Sequence, residues 1–299
     1  MRYLKGNNIL NFILKIKALT RVFPYNRYLI TLLPFFASMM HFGMISSPIS
    51  FMLVVPFITA MAAGFVYNGI CDAEKDPNEK NIITRGEVTK YNAYIIFTVL
   101  IIISIYIFSL VYTSKIALII FIIYILLWLV YSGLEIRFKE TYLGVIIASL
   151  VLWTGAPFII LLEFYYFNSS LGFLLLGLFL IYIGFEIRHT ITDYEMDLEY
   201  NCKTFTVRCG KKRATIIENI TLILGNFFLL SSIYLLNENL STIFTIIFAV
   251  LFLISIALKI YNFDMFPYFI SKLFIITYSC IVLQLPILII FFVVWIGVS

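Results

Sequence analysis

Tyr67-Asn68-Gly69-Ile70-Cys71-Asp72-Ala73-Glu74-Lys75-Asp76 closes one long apolar segment, and His189-Thr190-Ile191-Thr192-Asp193-Tyr194-Glu195-Met196-Asp197 closes another. In the first stretch Asn68, Asp72 and Asp76 recur every fourth residue; in the second, Asp193 and Asp197 do. Four residues along an α-helix amount to about 40° of rotation and about 6 Å of rise. Each set therefore forms a short column of oxygen ligands on one helix face. Carboxylates in a bilayer are costly, roughly 2.5–3.5 kcal/mol each at a helix centre and less near the interface. A single acidic loop reads equally well as solvated carboxylates outside the membrane. Two loops with matched spacing call for a counter-charge, and Mg²⁺ takes carboxylate oxygens together with substrate phosphates.

The rest of the chain sets these columns in a membrane. Of its 299 residues 62% are hydrophobic and only 12% charged, with a mean hydropathy of +1.02. Soluble domains carry about 25% charged residues. The apolar runs are too long and too numerous for a soluble core. Stretches such as Tyr94–Phe108 lack the period-two alternation of a transmembrane barrel. The fold class is an all-α membrane protein, a bundle of nine transmembrane helices with cytoplasmic cap loops. The spans are read at about 28–46, 49–70, 92–113, 115–133, 142–163, 171–190, 215–236, 241–261 and 268–296. Pro157 and Pro286 fall inside the fifth and ninth and should kink them. Residues 1–27 carry six bases, and Ile9, Phe12, Ile13, Ile16 and Leu19 recur at helical spacing. They read as an amphipathic helix lying in the interface.

Charge gives the orientation. The net charge of +5 is spread over short loops and is not a nucleic-acid signature. With nine spans, Lys115 stands alone on one side and every other Lys and Arg falls on the opposite side. The positive-inside rule places the N-terminus and both acidic motifs in the cytoplasm and the C-terminus outside. The cap loops, 71–91 and 191–213, are the long ones, and function concentrates in such loops. The whole chain reads as a single intramembrane domain. Cys71, Cys202, Cys209 and Cys280 show no metal-binding spacing and read as free thiols. The first 27 residues do not read as a cleavable signal peptide.

These residues resemble the UbiA-type intramembrane prenyltransferase superfamily. Asn68 to Asp76 is similar to its first motif, Asn-Asp-x-x-Asp-x-x-x-Asp, with Gly69 at the position of the frequent second Asp. Lys80-Asn81-Ile82-Ile83-Thr84-Arg85-Gly86 resembles the basic segment that follows, without its usual Pro. Asp193 to Asp197, with Lys203-Thr204 and Arg208-Cys209-Gly210, is similar to the second motif. Between them, Tyr131-Ser132 and Arg137-Phe138-Lys139 resemble the Tyr-Ser…Arg-x-Lys loop after the fourth helix, although Leu134-Glu135 stands where prolines are common.

The resemblance implies transfer of a prenyl group from its diphosphate to an acceptor, with two Mg²⁺ ions. Asn68, Asp72 and Asp76 would hold one ion, and Asp193 and Asp197 the other. Lys80, Arg85 and Arg137 would bind the diphosphate, and Tyr131, Lys139, Lys203 and Arg208 would be catalytic; any of these loop bases also serves to set topology. Aromatic faces can stabilise an allylic cation, by roughly 0.5–2 kcal/mol each, and Tyr67 and Tyr131 are the candidates for the chamber wall. Tyr194 is turned about 100° from the second column. His189, one turn before Asp193, either orients it or makes a structural contact. Glu186 should face the cavity or pair with Arg188 or a base on a neighbouring helix. Glu74, Glu195 and Glu199 read as solvated or paired with loop bases, and His41 has no assigned role. The acceptor reads as phenolic or hydrocarbon, because the spans show no polar cluster for a charged one. A terpene cyclase of the same superfamily, needing no acceptor, is the alternative. A cation transporter fits less well, since transporters place charges near the bilayer midplane on broken helices.

Overall fold

The computed structural model describes residues 35–43, 52–73, 81–133, 137–164 and 167–236, together with Ser271, Ile275 and Tyr278. The amphipathic N-terminus, the eighth span, nearly all of the ninth with Pro286, and the motif residues Asp76 and Lys80 lie outside the described residues. Among the described residues the secondary structure is helical, with no strand.

Six of the expected spans are present as helices. They are α1 (Val55–Asp72), α2 (Lys90–Val111), α3 (Lys115–Ser132), a composite helix over Gly144–Phe164, α6 (Ser169–Thr192) and α9 (Lys211–Leu236). All but α1 are long and apolar enough to cross a membrane. α1 ends on Asn68, Cys71 and Asp72, so its last turn is polar. The connection between α6 and α9 is not the open loop expected from the sequence. It folds into two short helices, α7 (Tyr194–Glu199) and α8 (Phe205–Cys209).

Local sequence explains the helix boundaries. Thr89, Ser114 and Asn168 each accept, through a side-chain oxygen, a backbone N–H of the first turn of α2, α3 and α6. Gly210, at φ +84°, ends α8 and lets α9 begin at the next residue. The kink expected at Pro157 takes a specific form. The composite helix consists of α4 (Gly144–Ser149), a π-helical turn at Leu150–Thr154 and α5 (Gly155–Phe164). Pro157 has no N–H for the Trp153 carbonyl. The wider turn lies immediately upstream, and there the Gly155 N–H reaches the Leu150 carbonyl while the Tyr124 hydroxyl donates to Val151 O at 2.6 Å.

The core lies between two tight helix pairs. α1 packs on α2, and α6 on α9. The second pair approaches so closely that a Cβ on Gly177 would lie 2.9 Å from the Gly225 carbonyl, and one on Gly225 2.8 Å from that of Gly177. Small residues let backbones meet in this way inside a membrane. On the α1 side, Phe57 sets its edge against Phe108, Tyr112, Phe121 and Tyr124, of which Phe108 stacks on Tyr112 at 4.0 Å and on Phe121 at 4.1 Å. At the end of the bundle away from the acidic motifs, Glu163 accepts the Thr113 N–H at 2.8 Å, the Thr113 hydroxyl at 2.7 Å and the Ser114 N–H at 2.9 Å. The α2–α3 connection is thereby tied to α5.

Candidate functional site

The C-terminal end of α1 is the foundation of the site. Its last carbonyls have no partner within the helix, and the segment at 81–88 supplies them. Asn81 Nδ2 donates to Gly69 O at 2.8 Å and Thr84 Oγ1 to Ala73 O at 2.8 Å. Gly86, at φ +72°, closes that segment into a turn. The stretch that the sequence presents as a basic clamp therefore braces the first motif through its neutral residues. Arg85 pairs with Glu87 at 2.7 Å in its exposed part.

Asn68 and Asp72 project from this braced end, and Asp72 is 5% exposed. The segment after α3 delivers two cations to them. Arg137 and Lys139 both form ion pairs with Asp72, one on each carboxylate oxygen. The Lys139 ammonium also donates to Asn68 Oδ1 at 2.9 Å, and so does the Ser132 hydroxyl at 2.9 Å. Arg137 pairs with Glu140 at 2.9 Å. Its backbone sits at φ +42°, a conformation a non-glycine residue adopts at some cost. Among the described residues, two carboxylates, Asp72 and Glu140, thus face two cations, Arg137 and Lys139, in a charge-balanced quartet.

The second motif comes to the same cap. Asp193 lies at the junction of α6 and α7, and the Asp197 N–H still reaches the Asp193 carbonyl at 2.8 Å. The helical one-turn spacing of the two carboxylates survives the junction. The Thr204 hydroxyl donates to Asp197 Oδ2 at 2.7 Å. His189 Nδ1 lies 3.4 Å from Asp193 Oδ2 at an exposed position, and Tyr194 faces the Lys211 ammonium at 5.8 Å. Arg208 joins the cap segments: its Nε donates to Glu140 O at 2.5 Å and Lys203 O at 2.9 Å, and its guanidinium lies over Tyr142. Lys203 itself is exposed. Cys202 senses Asp197, Glu140, Lys139 and Arg137 together, so the two motifs share one neighbourhood. Burial, and then the Asp197 and Glu140 charges, push its thiol pKa up.

The donor chemistry suits a hard divalent cation. Asn68 Oδ1 and an Asp72 oxygen converge on a single cationic point, which the Lys139 ammonium occupies. Oxygen ligands of this kind, completed by water and phosphate, are what Mg²⁺ takes. No group of three or more His, Cys, Asp or Glu poised for a metal occurs among the described residues. A complete set would draw on Asp76, outside them, or on ligand oxygens.

Inward from the cap, Tyr131 lies close enough to Asp72 and to Glu186 to feel both charges. Tyr67 leans on Phe97 at 5.3 Å, and its hydroxyl fills the space that a Cβ on Gly133 would need. Glu186 accepts the Trp153 indole N–H at 3.1 Å, while Arg188 pairs with Glu218 at 2.7 Å. Three residues of this site carry no motif signal that sets them apart: Asn81, Glu140 and Trp153. For Glu140 the spacing of three from Arg137 was the available clue.

The chain matches the model of the UbiA prenyltransferase family over residues 28–268. Its fold is similar to that of a UbiA homologue from Archaeoglobus fulgidus bound to GPP and Mg²⁺, with a TM-score of 0.62 and 17% identity, covering 91% of this chain and 100% of that one. It is similar to a digeranylgeranylglyceryl phosphate synthase, with a TM-score of 0.63 and 20% identity over 91% of this chain and 99% of that one. A UbiA homologue from Aeropyrum pernix K1 gives a TM-score of 0.60 at 15% identity over 86% and 95% of the two chains. No curated protein matches the sequence.

Proposed function

The chain belongs to the UbiA prenyltransferase family, and from that premise we propose that this integral membrane protein transfers a prenyl group from a prenyl diphosphate to a lipophilic, phenolic or hydrocarbon acceptor within the membrane. The observation that carries this reading is the convergence of Asn68 and Asp72 oxygens on one cationic point at the mouth of an apolar bundle. Asp197 of the second motif lies near the same two bases, Arg137 and Lys139. Similar folds bind GPP or DMAPP with Mg²⁺.

Asn68 and Asp72, with Asp76, would hold one Mg²⁺, and Asp193 and Asp197 a second. Mg²⁺ supplies, when bound, neutralisation of the negative charge that grows on a diphosphate leaving group. Arg137 and Lys139 are positioned to exchange Asp72 for diphosphate oxygens. Arg is suited to bidentate recognition of phosphate, and Lys acts as a point charge. Thr204 holds Asp197 in place, and Arg208 holds the Glu140 backbone, so both act through the groups they position. Lys203 and Arg85, with Lys80 outside the described residues, would supply further positive charge to the diphosphate. Tyr131 lies between cap and interior, where it walls water from the reacting carbon. The proposal extends to a single domain of nine spans, with the cap and the N-terminus in the cytoplasm and the C-terminus outside.

The test is Mg²⁺-dependent diphosphate release by detergent-purified protein given geranylgeranyl diphosphate, with and without a membrane-lipid extract. Turnover that requires the extract and yields a prenylated lipid supports the transferase. A cyclic hydrocarbon formed without extract establishes a cyclase instead. Asp193→Ala is expected to abolish release while the protein stays folded. Full activity in EDTA, or near-normal activity in Asp193→Ala, refutes the metal assignment.

A further inference from the structure

Glu186 is an intramembrane carboxylate that the cap does not use. It lies on α6 seven residues before Asp193, which is nearly the same helix face and about 10 Å deeper along the axis. Its neighbour Arg188 pairs with Glu218 on α9 and not with Glu186. Among the described residues no Lys or Arg lies within ion-pair distance of Glu186. One carboxylate oxygen accepts the Trp153 indole N–H at 3.1 Å. Trp153 belongs to the π-turn and stacks on Tyr182 at 4.9 Å and 15°, and Tyr182 meets the edge ring of Phe185 at 5.7 Å. Tyr131, which faces the first motif, is near enough to feel Glu186 as well.

Each part of this arrangement points to a ligand. An ionisable side chain inside a span is a functional group by default, and the ring near enough to act on Glu186 is that of His189, itself exposed and beside Asp193. π-Turns inside α-helices occur frequently at functional sites. An indole N–H needs only one neutral acceptor, which an amide or carbonyl oxygen would provide at lower desolvation cost than a carboxylate. Tyr182 is buried, and the half-buried Trp153 indole stacked on it presents a flat apolar face beside Glu186.

We propose that Glu186 is the acceptor-side catalytic residue, and that the acceptor it takes is a neutral, hydroxyl-bearing aromatic. This assignment rests on the transferase reading above. In the step, the C1–O bond of the prenyl diphosphate breaks and its electron pair leaves with the diphosphate at the cap. The acceptor's oxygen or ring carbon forms a bond to C1. The proton that the acceptor gives up passes to the free oxygen of Glu186, which becomes a neutral carboxylic acid and later returns the proton to solvent. An acceptor that is itself anionic would face the Glu186 carboxylate, with which no Lys or Arg among the described residues pairs, so phosphate- or carboxylate-bearing acceptors are disfavoured.

The experiment compares wild type, Glu186→Gln and Glu186→Asp in detergent with Mg²⁺ and geranylgeranyl diphosphate. The acceptor probes are 1,4-dihydroxynaphthalene and 4-hydroxybenzoate. Gln keeps an oxygen for the Trp153 N–H, so the fold is retained. The thermal shift produced by Mg²⁺ and geranylgeranyl diphosphate is expected to be unchanged in Glu186→Gln. Transfer to the neutral diol is expected to fall in kcat by about a hundredfold or more, the usual scale of general-base catalysis, with partial recovery in Glu186→Asp. Wild type is expected to prefer the diol to 4-hydroxybenzoate. Transfer by Glu186→Gln at the wild-type rate overturns the proposal and leaves the transferase intact. A wild-type preference for 4-hydroxybenzoate overturns the acceptor class. No thermal shift and no transfer by wild type overturns both readings.

Discussion

Replacing Asp72 by Asn separates the two tasks this residue performs. The Asp72 side chain is 7% exposed and faces Arg137 and Lys139, whose side chains are 14% and 17% exposed. Hydrogen bonds to charged groups contribute about 1.5–3 kcal/mol each. Breaking a fully buried pair by removing one partner costs about 3–5 kcal/mol. Asn keeps one accepting oxygen, and the cap is only partly buried, so Asp72→Asn is expected to destabilise the protein by about 2 kcal/mol. Most of that loss is the carboxylate charge that Arg137 and Lys139 share. Removing one of them by Lys139→Met in the same chain should recover about 1 kcal/mol, a coupling that a double-mutant cycle isolates. The assay is unfolding in mixed micelles, titrated with SDS, without Mg²⁺ or diphosphate. Activity must not recover with stability, because neither the metal ligand nor the diphosphate cation is restored. Single losses that simply add, within about 0.5 kcal/mol, refute the quartet as a structural unit. A double variant that turns over refutes the ligand assignment.

Two further outcomes follow from the packing. Gly177→Leu should drive a side chain into the Gly225 carbonyl and the Leu229 backbone; overpacking of this kind costs at least 1–3 kcal/mol, and loss of folded yield in detergent would register it, with Gly177→Ala milder. Glu163→Gln should loosen the α2–α3 connection by about 1–2 kcal/mol, since hydrogen bonds to a charged acceptor become neutral ones, while Mg²⁺-dependent diphosphate release stays at the wild-type level; a variant that is stable but inactive would show that the far end of the bundle takes part in turnover.

The acidic columns were legible because they are local. Residues 68 and 72, or 193 and 197, are separated by one helical turn, so spacing alone puts them on one face. What covers them was not legible in the same way. Arg137 meets Asp72 across 65 residues and Arg208 meets Glu140 across 68; no periodicity encodes such a meeting. The family motif identified these bases without telling that Arg137 and Lys139 neutralise Asp72, or that Arg208 spends its Nε on backbone carbonyls. The basic segment after α1 misled differently. Its charges drew attention, whereas Asn81 and Thr84 do the capping. Pro157 announced a break in its helix, and the form of that break, a π-turn stabilised by Tyr124, depends on a neighbouring helix. Gly177 and Gly225 each read as ordinary glycines; only the packing of α6 on α9 shows why a side chain is excluded at both.

The neutrality of the quartet bears on how the proposed substrates arrive. A divalent cation bound alone at Asn68 and Asp72 would sit beside Arg137 and Lys139, two cations held on the same carboxylate. A diphosphate bound alone would crowd its oxygens against Asp72 and Glu140. Bound together, each would neutralise what the other introduces: Arg137 and Lys139 would turn from Asp72 to the diphosphate and leave the Asp72 carboxylate to the metal. The two affinities must then be coupled, and linkage requires the coupling to be reciprocal. Calorimetric titration of Mg²⁺ is expected to show binding at least about tenfold tighter when geranylgeranyl diphosphate is present, a coupling of about 1.4 kcal/mol, and the same factor is expected when the order is reversed. Lys139→Met removes one of the competing cations, so it should tighten Mg²⁺ binding in the absence of diphosphate and shrink the coupling. Equal Mg²⁺ affinities with and without diphosphate would mean that the bases do not exchange partners, and that the ion pairs on Asp72 persist through turnover.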